Sequence, residues 1–286
     1  MGQGLSIIIP AYNEEDGLMP VLDQLHDVMK GLPYEIIVVD DGSTDRTLEV
    51  LKHAEGIRWV AHPVNRGYGA SLKSGIKIAK YDLIAIADAD GTYPVKELPG
   101  MLDCMDRYDM VIGCRSGDHF WGPVSKQILR KGYRWLAEWL AGTEIPDVNS
   151  GFRIFRKVLV ERFGFFLSDR FSFTTGLTLA ALTNNYAVKY ISVAYYKRIG
   201  TSKVFSVMHK VGIAQILVHA ALLFAPMKLI LPLLAFFGAG AIVLFGVCLL
   251  FPSPYLFVTA VAGLSLTVMT GLTGLVLIAV SKLAKK

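Results

Sequence analysis

Cysteine is scarce in this sequence of 286 residues, and acidic side chains are absent beyond Asp169. The three cysteines, Cys104, Cys114 and Cys248, form no CxxC pair, and Cys248 lies in an apolar run. This pattern excludes a disulfide-stapled scaffold and a zinc site built from cysteine alone, and it suits a reducing compartment. Charged residues make up 19% of the chain and aromatic residues 11%, a composition that excludes an intrinsically disordered protein.

The charge is divided unevenly along the chain. Residues 1–169 carry 24 acidic and 19 basic side chains, whereas residues 170–286 carry 10 basic and no acidic ones. A nucleic-acid-binding protein usually carries its positive charge on the folded domain, so no nucleic-acid partner is expected. Basic residues next to apolar segments indicate contact with anionic lipid headgroups instead.

A long segment near the C-terminus has no charged side chain at all. It covers the 53 residues of 229–281, and mean hydropathy over the whole chain is +0.44. Because a helix needs ~20 apolar residues to cross a bilayer, this length predicts two spans, near 227–250 and 256–281. The prolines of Phe251–Pro254 supply the break between them. The positive-inside rule then predicts that both ends and the N-terminal domain are cytoplasmic, since the flanking cations are Lys228, Lys282, Lys285 and Lys286.

The first 200 residues alternate between short apolar runs and helical stretches. The runs predict strands at Ser6–Ile9, Glu35–Val39, Arg58–Ala61, Leu83–Ala87, Met110–Gly113 and Tyr190–Tyr195. Helices are predicted at 14–30, 44–55, 68–80, 95–107 and 124–141, with Ser43 or Thr44 capping the second. Such alternation favours an α/β fold with a mostly parallel sheet, whose ligands bind at the carboxyl ends of the strands.

Acidic residues follow two of the predicted strands. Asp88 and Asp90, in an Asp-Ala-Asp sequence, end the fourth strand and are suited to a hard cation such as Mg²⁺, although a solvated turn has the same pattern. Asp41 ends the second strand, where a carboxylate is able to accept hydrogen bonds from a nucleoside. The loop Asn65–Ala70 enters a helix and directs backbone N–H groups towards a phosphate or forms a simple tight turn. The chain lacks a Walker loop, and no GxGxxG follows the first strand.

Taken in order, these segments resemble the inverting family-2 glycosyltransferases of the GT-A fold. The resemblance is closest to polyprenyl-phosphate glycosyltransferases of the dolichyl-phosphate mannose synthase type. It runs from Leu5 to about Lys203. The segments that carry it are SIIIPAYNEE (6–15), VVDDGSTD (38–45), NRGYGASLKSGI (65–76), DAD (88–90), IGCR (112–115), DVNSGFR (147–153) and RIGTSK (198–203).

The sequence predicts three parts, and the resemblance implies one reaction. By resemblance, residues 1–202 would form a Rossmann-like GT-A catalytic domain. The weakly amphipathic segment 203–225 predicts an interfacial helix, and the uncharged apolar segment predicts a two-helix transmembrane anchor at 226–286. The enzyme would transfer a sugar, with inversion, from a nucleotide sugar to a polyprenyl or dolichyl phosphate at the cytoplasmic membrane face. GDP-mannose, UDP-glucose and UDP-N-acetylglucosamine all stay open as donors.

The resemblance also implies a role for individual residues. Asp88 and Asp90 would hold Mg²⁺ or Mn²⁺ on the donor diphosphate, and Arg115 and Asp147 join them in the catalytic group. The nucleotide pocket would be lined by Pro10, Tyr12, Glu14, Asp41 and Asp88. The acceptor phosphate would be bound by Arg115, Lys126, Arg130, Arg198 and Lys203.

Two departures from that family and two alternatives remain. Thr92 stands where those synthases have a glutamine metal ligand, and the segment 171–176 has no acid where many relatives carry a glutamate. A processive membrane polysaccharide synthase is one alternative. It requires a QxxRW motif, and 127–131 lacks the tryptophan. A membrane-anchored sugar-nucleotide-binding module is the other, and the intact Asp-Ala-Asp argues against it.

Overall fold

The structure, a computed structural model, describes residues 4–116, 124–170, 172–198 and 207–284. The chain divides into two compact units, Met1–Leu217 and Val218–Lys286. The boundary between them falls inside 203–225, the segment expected to form a separate interfacial helix. The division into three parts therefore stays a prediction.

A seven-stranded mixed sheet forms the centre of the first unit, in the order β3-β2-β1-β4-β6-β5-β7. Its strands are β1 (Leu5–Ala11), β2 (Tyr34–Asp40), β3 (Arg58–Ala61), β4 (Leu83–Ile86), β5 (Met110–Ser116), β6 (Arg153–Arg156) and β7 (Val188–Ala194). Only β6 runs antiparallel to its neighbours, β4 and β5, while the other pairs are parallel. The expected α/β fold with a mostly parallel sheet is confirmed.

Helices alternate with the strands along the chain, and further helices follow β7. They are α1 (Leu18–Val28), α2 (Thr47–His53), α3 (Tyr68–Ile78), α4 (Leu98–Asp103), α5 (Val124–Ala141), α6 (Val158–Phe163), α7 (Phe173–Thr183), α8 (Val207–Phe224), α9 (Pro226–Leu250) and α10 (Pro254–Ala284). The side chains of β1 alternate between the two faces of the sheet. Leu5, Ile7 and Ile9 belong to the same buried cluster as the apolar face of α1. Ile8 faces α3, where a Cβ added to Gly75 would lie 2.6 Å from its Cγ2.

Several elements differ from the sequence-based expectation. The predicted helix 95–107 consists of α4 between two short 3₁₀ turns, Val95–Glu97 and Cys104–Asp106. The second helix begins at Thr47, so Ser43 and Thr44 do not cap it. Asp45 instead accepts hydrogen bonds from the N–H and the hydroxyl of Thr47, at 2.9 and 2.6 Å. Strand β6 and helices α6 and α7 were not predicted.

Helix α8 occupies the segment expected to lie at the membrane surface. Its apolar residues are not concentrated on one side. It therefore lacks the apolar stripe of an amphipathic helix, and an interfacial location stays a prediction.

The second unit is dominated by α9 and α10, which form a hairpin. Pro226–Leu250 and Pro254–Ser281 are both long and apolar enough to cross a membrane. The break between them falls at 251–253, as expected from the two prolines. Small residues bring the helices close, since a Cβ added to Gly274 would lie 2.7 Å from Ile230.

The hairpin predicts that both ends of the chain lie on one side of the membrane. Reporters fused before Met1 and after Lys286 are expected on the same side. A cysteine placed at Ser253, with the native cysteines replaced by alanine, is expected to react with an impermeant maleimide only from the other side. Reporters on opposite sides would mean that the chain crosses the membrane an odd number of times.

Candidate active site

The predicted acidic residues gather at one edge of the sheet. Asp41 directly follows β2, Glu14 follows β1 and Asp88 follows β4. These three strands are parallel neighbours, so their carboxyl ends meet at the same edge. The structure thus brings together the residues expected to bind donor and metal.

Hydrogen bonds join the loops that follow β1 and β2. The Asn13 carboxamide oxygen accepts hydrogen bonds from the N–H groups of Thr44 and Asp45, at 2.6 and 3.3 Å. The Asn13 N–H donates to the Ser43 hydroxyl at 2.8 Å. Gly42 has φ of +71°, and a Cβ there would lie 2.6 Å from the Val64 carbonyl carbon. The conformation and the close approach both require glycine at this position.

Asp88 and Asp90 lie on the turn after β4. Asp88 Oδ1 accepts a hydrogen bond from the Tyr68 hydroxyl at 3.1 Å, and Asp90 Oδ1 accepts from the N–H and hydroxyl of Thr92 at 3.0 and 2.7 Å. Desolvation by the surrounding protein and then the charge of Asp90 raise the pKa of Asp88 to about 7. Burial and the charge of Asp90 therefore both disfavour the ionised form of Asp88. A Cβ on Gly151 would come within 3.0 Å of Asp88, so glycine keeps this space open.

This pair is suited to a divalent cation bound together with a phosphorylated ligand. Mg²⁺ typically binds one or two protein carboxylates and takes its other ligands from phosphate and water. Among the described residues no group of three or more His, Cys, Asp or Glu side chains forms an all-protein metal site. Thr92, at the expected glutamine position, donates its hydrogen bonds to Asp90 and so fixes the orientation of that carboxylate.

Arg198 lies against the acidic edge. Its Nη1 is 3.3 Å from Asp90 Oδ2, and its Nη2 donates to Glu14 Oε1. The segment after β7 is held there by a hydrogen bond of 2.9 Å from the Tyr196 N–H to the Thr92 carbonyl. Arg198 was expected at the acceptor phosphate, but the structure brings it to the residues expected to bind donor and metal.

Arg115 and Asp147 form a bidentate ion pair. Arg115 Nε and Nη2 donate to the two carboxylate oxygens at 2.7 and 2.8 Å, and the Arg115 guanidinium lies 5.6 Å from the centre of the Tyr195 ring. Burial alone would raise the pKa of Asp147, but the hydrogen bonds and charge of Arg115 outweigh it and lower that pKa. Asp147 therefore stays ionised and holds the Arg115 fork in one orientation.

Asp41 is buried and accepts hydrogen bonds within the protein. Its Oδ1 accepts from His62 Nδ1 at 2.7 Å and from the Arg66 N–H at 2.9 Å, and its Oδ2 accepts from the Gly67 N–H at 2.8 Å. His62 Nε2 lies 2.9 Å from the Ser74 hydroxyl. Asp41 thus anchors the loop at the start of α3. His62 and Ser74 were not predicted from the sequence, because their link to Asp41 exists only in the folded chain.

Arg153, the last residue of the DVNSGFR segment, has a role that the sequence alone did not predict. It is fully buried, and desolvation lowers its pKa. Its guanidinium donates to the carbonyls of Ser150 and Thr174 and to the Thr178 hydroxyl, the last at 2.9 Å. These bonds fix the loop that carries Asp147 to helix α7.

The structure describes fewer contacts for the other predicted site residues. Pro10 is in β1, paired with Val39, and Tyr12 is half-buried in the following loop. Lys126 and Arg130 belong to α5, but their side chains lie outside the described residues, as does Lys203 altogether. Their expected part in binding the acceptor stays a prediction.

A family model and several known proteins match the sequence of this chain. The model of the family "Glycosyl transferase family 2" matches residues 6–164. The chain is 30% identical over 212 residues to a polyprenol monophosphomannose synthase from Mycolicibacterium smegmatis, covering 69% of this chain and 79% of that protein. It is 41% identical over 118 residues to an undecaprenyl-phosphate 4-deoxy-4-formamido-L-arabinose transferase from Edwardsiella ictaluri, covering 38% of this chain but only 36% of that protein.

Solved structures support the fold. A glucosyl-3-phosphoglycerate synthase from Mycobacterium tuberculosis, in complex with Mn²⁺, UDP and glucosyl-3-phosphoglycerate, has a TM-score of 0.58 and 20% identity. The match covers 77% of this chain and 79% of that one. A complex of that enzyme with Mg²⁺ and UDP has a TM-score of 0.60, with 20% identity, covering 77% and 79%. At this identity the likeness establishes a shared fold.

The Asp41–His62–Ser74 chain predicts an effect on stability. His62→Ala is expected to lower the free energy of unfolding by about 1–3 kcal/mol, because buried Asp41 loses a hydrogen-bond donor. His62→Asn, which retains a donor near Nδ1, is expected to recover part of the loss. His53→Ala, on the exposed side of α2, serves as the control in thermal unfolding. Equal stability of His62→Ala and the control would contradict the structural role.

Proposed function

The chain belongs to glycosyl transferase family 2, and we propose that it transfers a hexose from a nucleotide sugar to a polyprenyl phosphate, with inversion at the anomeric carbon. The functions of its relatives support this acceptor class, since they include transferases for polyprenol, dolichol and undecaprenyl phosphates. GDP-mannose and UDP-sugars are the donors that the proposal includes. The two apolar helices are consistent with an acceptor held in a membrane.

The observation that carries the proposal is the charge pattern at the sheet edge. Two carboxylates, Asp88 and Asp90, lie beside the cationic side chains of Arg115 and Arg198, whose charges act on Asp88. Such a site is able to hold a cation and two phosphorylated ligands together. In our proposal Asp88 and Asp90 hold Mg²⁺ or Mn²⁺, which offsets the negative charge that develops on the departing diphosphate.

Asp147 is poorly suited to act as a general base. It is committed to Arg115, and its lowered pKa means that it takes up a proton weakly near neutral pH. A sugar or polyprenol hydroxyl requires such a base, but a lipid phosphate is already an anionic nucleophile. Its oxygen attacks the anomeric carbon while the bond from that carbon to the diphosphate oxygen breaks. The products are a polyprenyl-phosphate sugar and a nucleoside diphosphate.

The remaining residues take supporting parts in this proposal. Pro10, Tyr12, Glu14 and Asp41 shape the nucleotide pocket. Arg115 binds the acceptor phosphate, oriented by Asp147, together with Lys126, Arg130 and Lys203. The protein is an integral membrane protein with its catalytic unit on the cytoplasmic side, a location supported by the lysines that flank the two spans.

The metal site predicts loss of transfer when either carboxylate is neutralised. Asp90→Asn, and to a lesser degree Asp88→Asn, should lower transfer about 100-fold or more, because even indirect metal partners contribute about 10- to 100-fold. EDTA should have the same effect, reversed by added Mg²⁺ or Mn²⁺. Asp106→Asn removes an exposed acid and is the control for charge. Full activity in EDTA would refute the assignment.

The acceptor prediction is tested with the wild-type protein. Radiolabelled GDP-mannose, UDP-glucose and UDP-N-acetylglucosamine are each offered with polyprenyl phosphate, polyprenol and a soluble oligosaccharide, and the lipid products are separated by thin-layer chromatography. Labelled product is expected only with polyprenyl phosphate. Comparable transfer to polyprenol or to the oligosaccharide would overturn the proposed acceptor while leaving the family assignment intact.

A further inference from the structure

Arg198 is placed between two acids, Glu14 and Asp90. Its guanidinium contacts Glu14 and Asp90, whose side chains are only 13% and 9% exposed. One guanidinium is thus shared between two carboxylates, and its charge also acts on Asp88. A partly buried group of carboxylates attracts cations.

Arg198 occupies the oxygen that a metal ion would need. Asp90 Oδ1 is already taken by the N–H and the hydroxyl of Thr92. The oxygen on the other side of the carboxylate, Oδ2, is the one that Arg198 Nη1 contacts at 3.3 Å. A divalent cation bound through Oδ2 and Arg198 in its present position therefore compete for the same atom.

The present position also leaves a donor of Arg198 unused. Its Nε is buried, and within the described part of the chain it has no hydrogen-bond acceptor. A buried N–H without an acceptor is unfavourable. A phosphate group is able to satisfy Nε and Nη together, since the guanidinium fork matches two phosphate oxygens.

We propose that Arg198 is an internal counter-ion of this site. Before the donor binds, Arg198 pairs with the carboxylates proposed to hold the metal. When the cation arrives, Arg198 leaves these carboxylates and binds the donor diphosphate. The inference rests on the proposed function, because it takes the metal and the nucleotide sugar from there. It assigns Arg198 to the donor and leaves the acceptor phosphate to Arg115. In the unloaded protein Arg198 opposes the cation, and in the loaded protein it holds the cation's phosphate ligand.

The exchange predicts effects of opposite sign from one substitution. Without nucleotide, Arg198→Ala should bind Mn²⁺ about fivefold more tightly, because a competing ion pair has been removed. With Mn²⁺ present, the same variant should bind GDP or UDP roughly tenfold more weakly or worse, because a charge-assisted hydrogen bond to phosphate is lost. A residue that merely supports the fold would weaken both.

The experiment uses the full-length chain in detergent and does not depend on turnover. Free Mn²⁺ is followed by electron paramagnetic resonance during titration, first without nucleotide and then with GDP or UDP at saturation. Nucleotide affinity is measured by calorimetry at fixed Mn²⁺. Arg46→Ala is the matched control. Arg46 pairs with Glu15 at an exposed site, so this substitution also removes one positive charge but leaves the contacts of Asp90 unchanged.

Arg198→Gln provides a second variant that keeps the length of the side chain without its charge. Both Arg198 variants are expected to show tighter Mn²⁺ and weaker nucleotide binding, with Arg46→Ala like the wild type. Unchanged or weaker Mn²⁺ binding by both Arg198 variants would overturn the exchange. Failure of the wild type to bind Mn²⁺ even with GDP or UDP would instead refute the proposed metal site, and the inference with it.

Discussion

Repulsion between carboxylates is the constraint on which this site depends. Parallel β1 and β4 deliver Glu14, Asp88 and Asp90 to one edge of the sheet. Two like charges 4 Å apart repel by about 4 kcal/mol at an effective dielectric constant of 20. The charges of Arg115 and Arg198 offset part of this cost, but desolvation and the charge of Asp90 outweigh them and raise the pKa of Asp88. Under the proposed function, a divalent cation bound at this edge would relieve the repulsion between these carboxylates.

Three arginines contribute to this region in different ways because their partners differ. The hydrogen-bond acceptors of Arg153 in the described structure are all neutral, and burial lowers its pKa. Arg153 therefore has a structural role, holding neighbouring segments together by hydrogen bonds. Arg115 meets one carboxylate through two parallel bonds and is held in one orientation. Arg198 bridges two carboxylates with a buried donor left over, an arrangement suited to change. In the proposed function, Arg153 supports the fold while Arg115 and Arg198 meet phosphorylated ligands.

Sequence patterns predicted the elements that have strong local signals. Strands β1, β2 and β4 are unbroken Ile/Val-rich runs, and their polar ends located Asp41 and Asp88 correctly. Strand β6 was missed because its four residues, Arg-Ile-Phe-Arg, begin and end with a charge, and the burial of Arg153 depends on distant carbonyls. Helix α7 was missed because it is rich in threonine, which has low helix propensity, and is buried nearly all round, so it has no polar face. The contacts of Arg198 with Glu14 and of His62 with Asp41 join residues far apart in sequence, and no local pattern encodes them.

The absence of acid beyond Asp169 gains a physical reason from the proposed chemistry. An enzyme that joins two anions has to avoid adding a third wherever they meet. If the acceptor is a lipid phosphate, it approaches from the membrane, and the residues that follow β7 lead through α8 to the two apolar helices. A carboxylate there would repel the acceptor phosphate and the anionic headgroups alike, whereas the ten cations of residues 170–286 attract both. The acids are confined to the half of the chain that builds the donor edge, where a divalent cation and Arg198 are able to neutralise them. The charge asymmetry of the sequence and the ion pairs of the folded site are then two consequences of one electrostatic requirement.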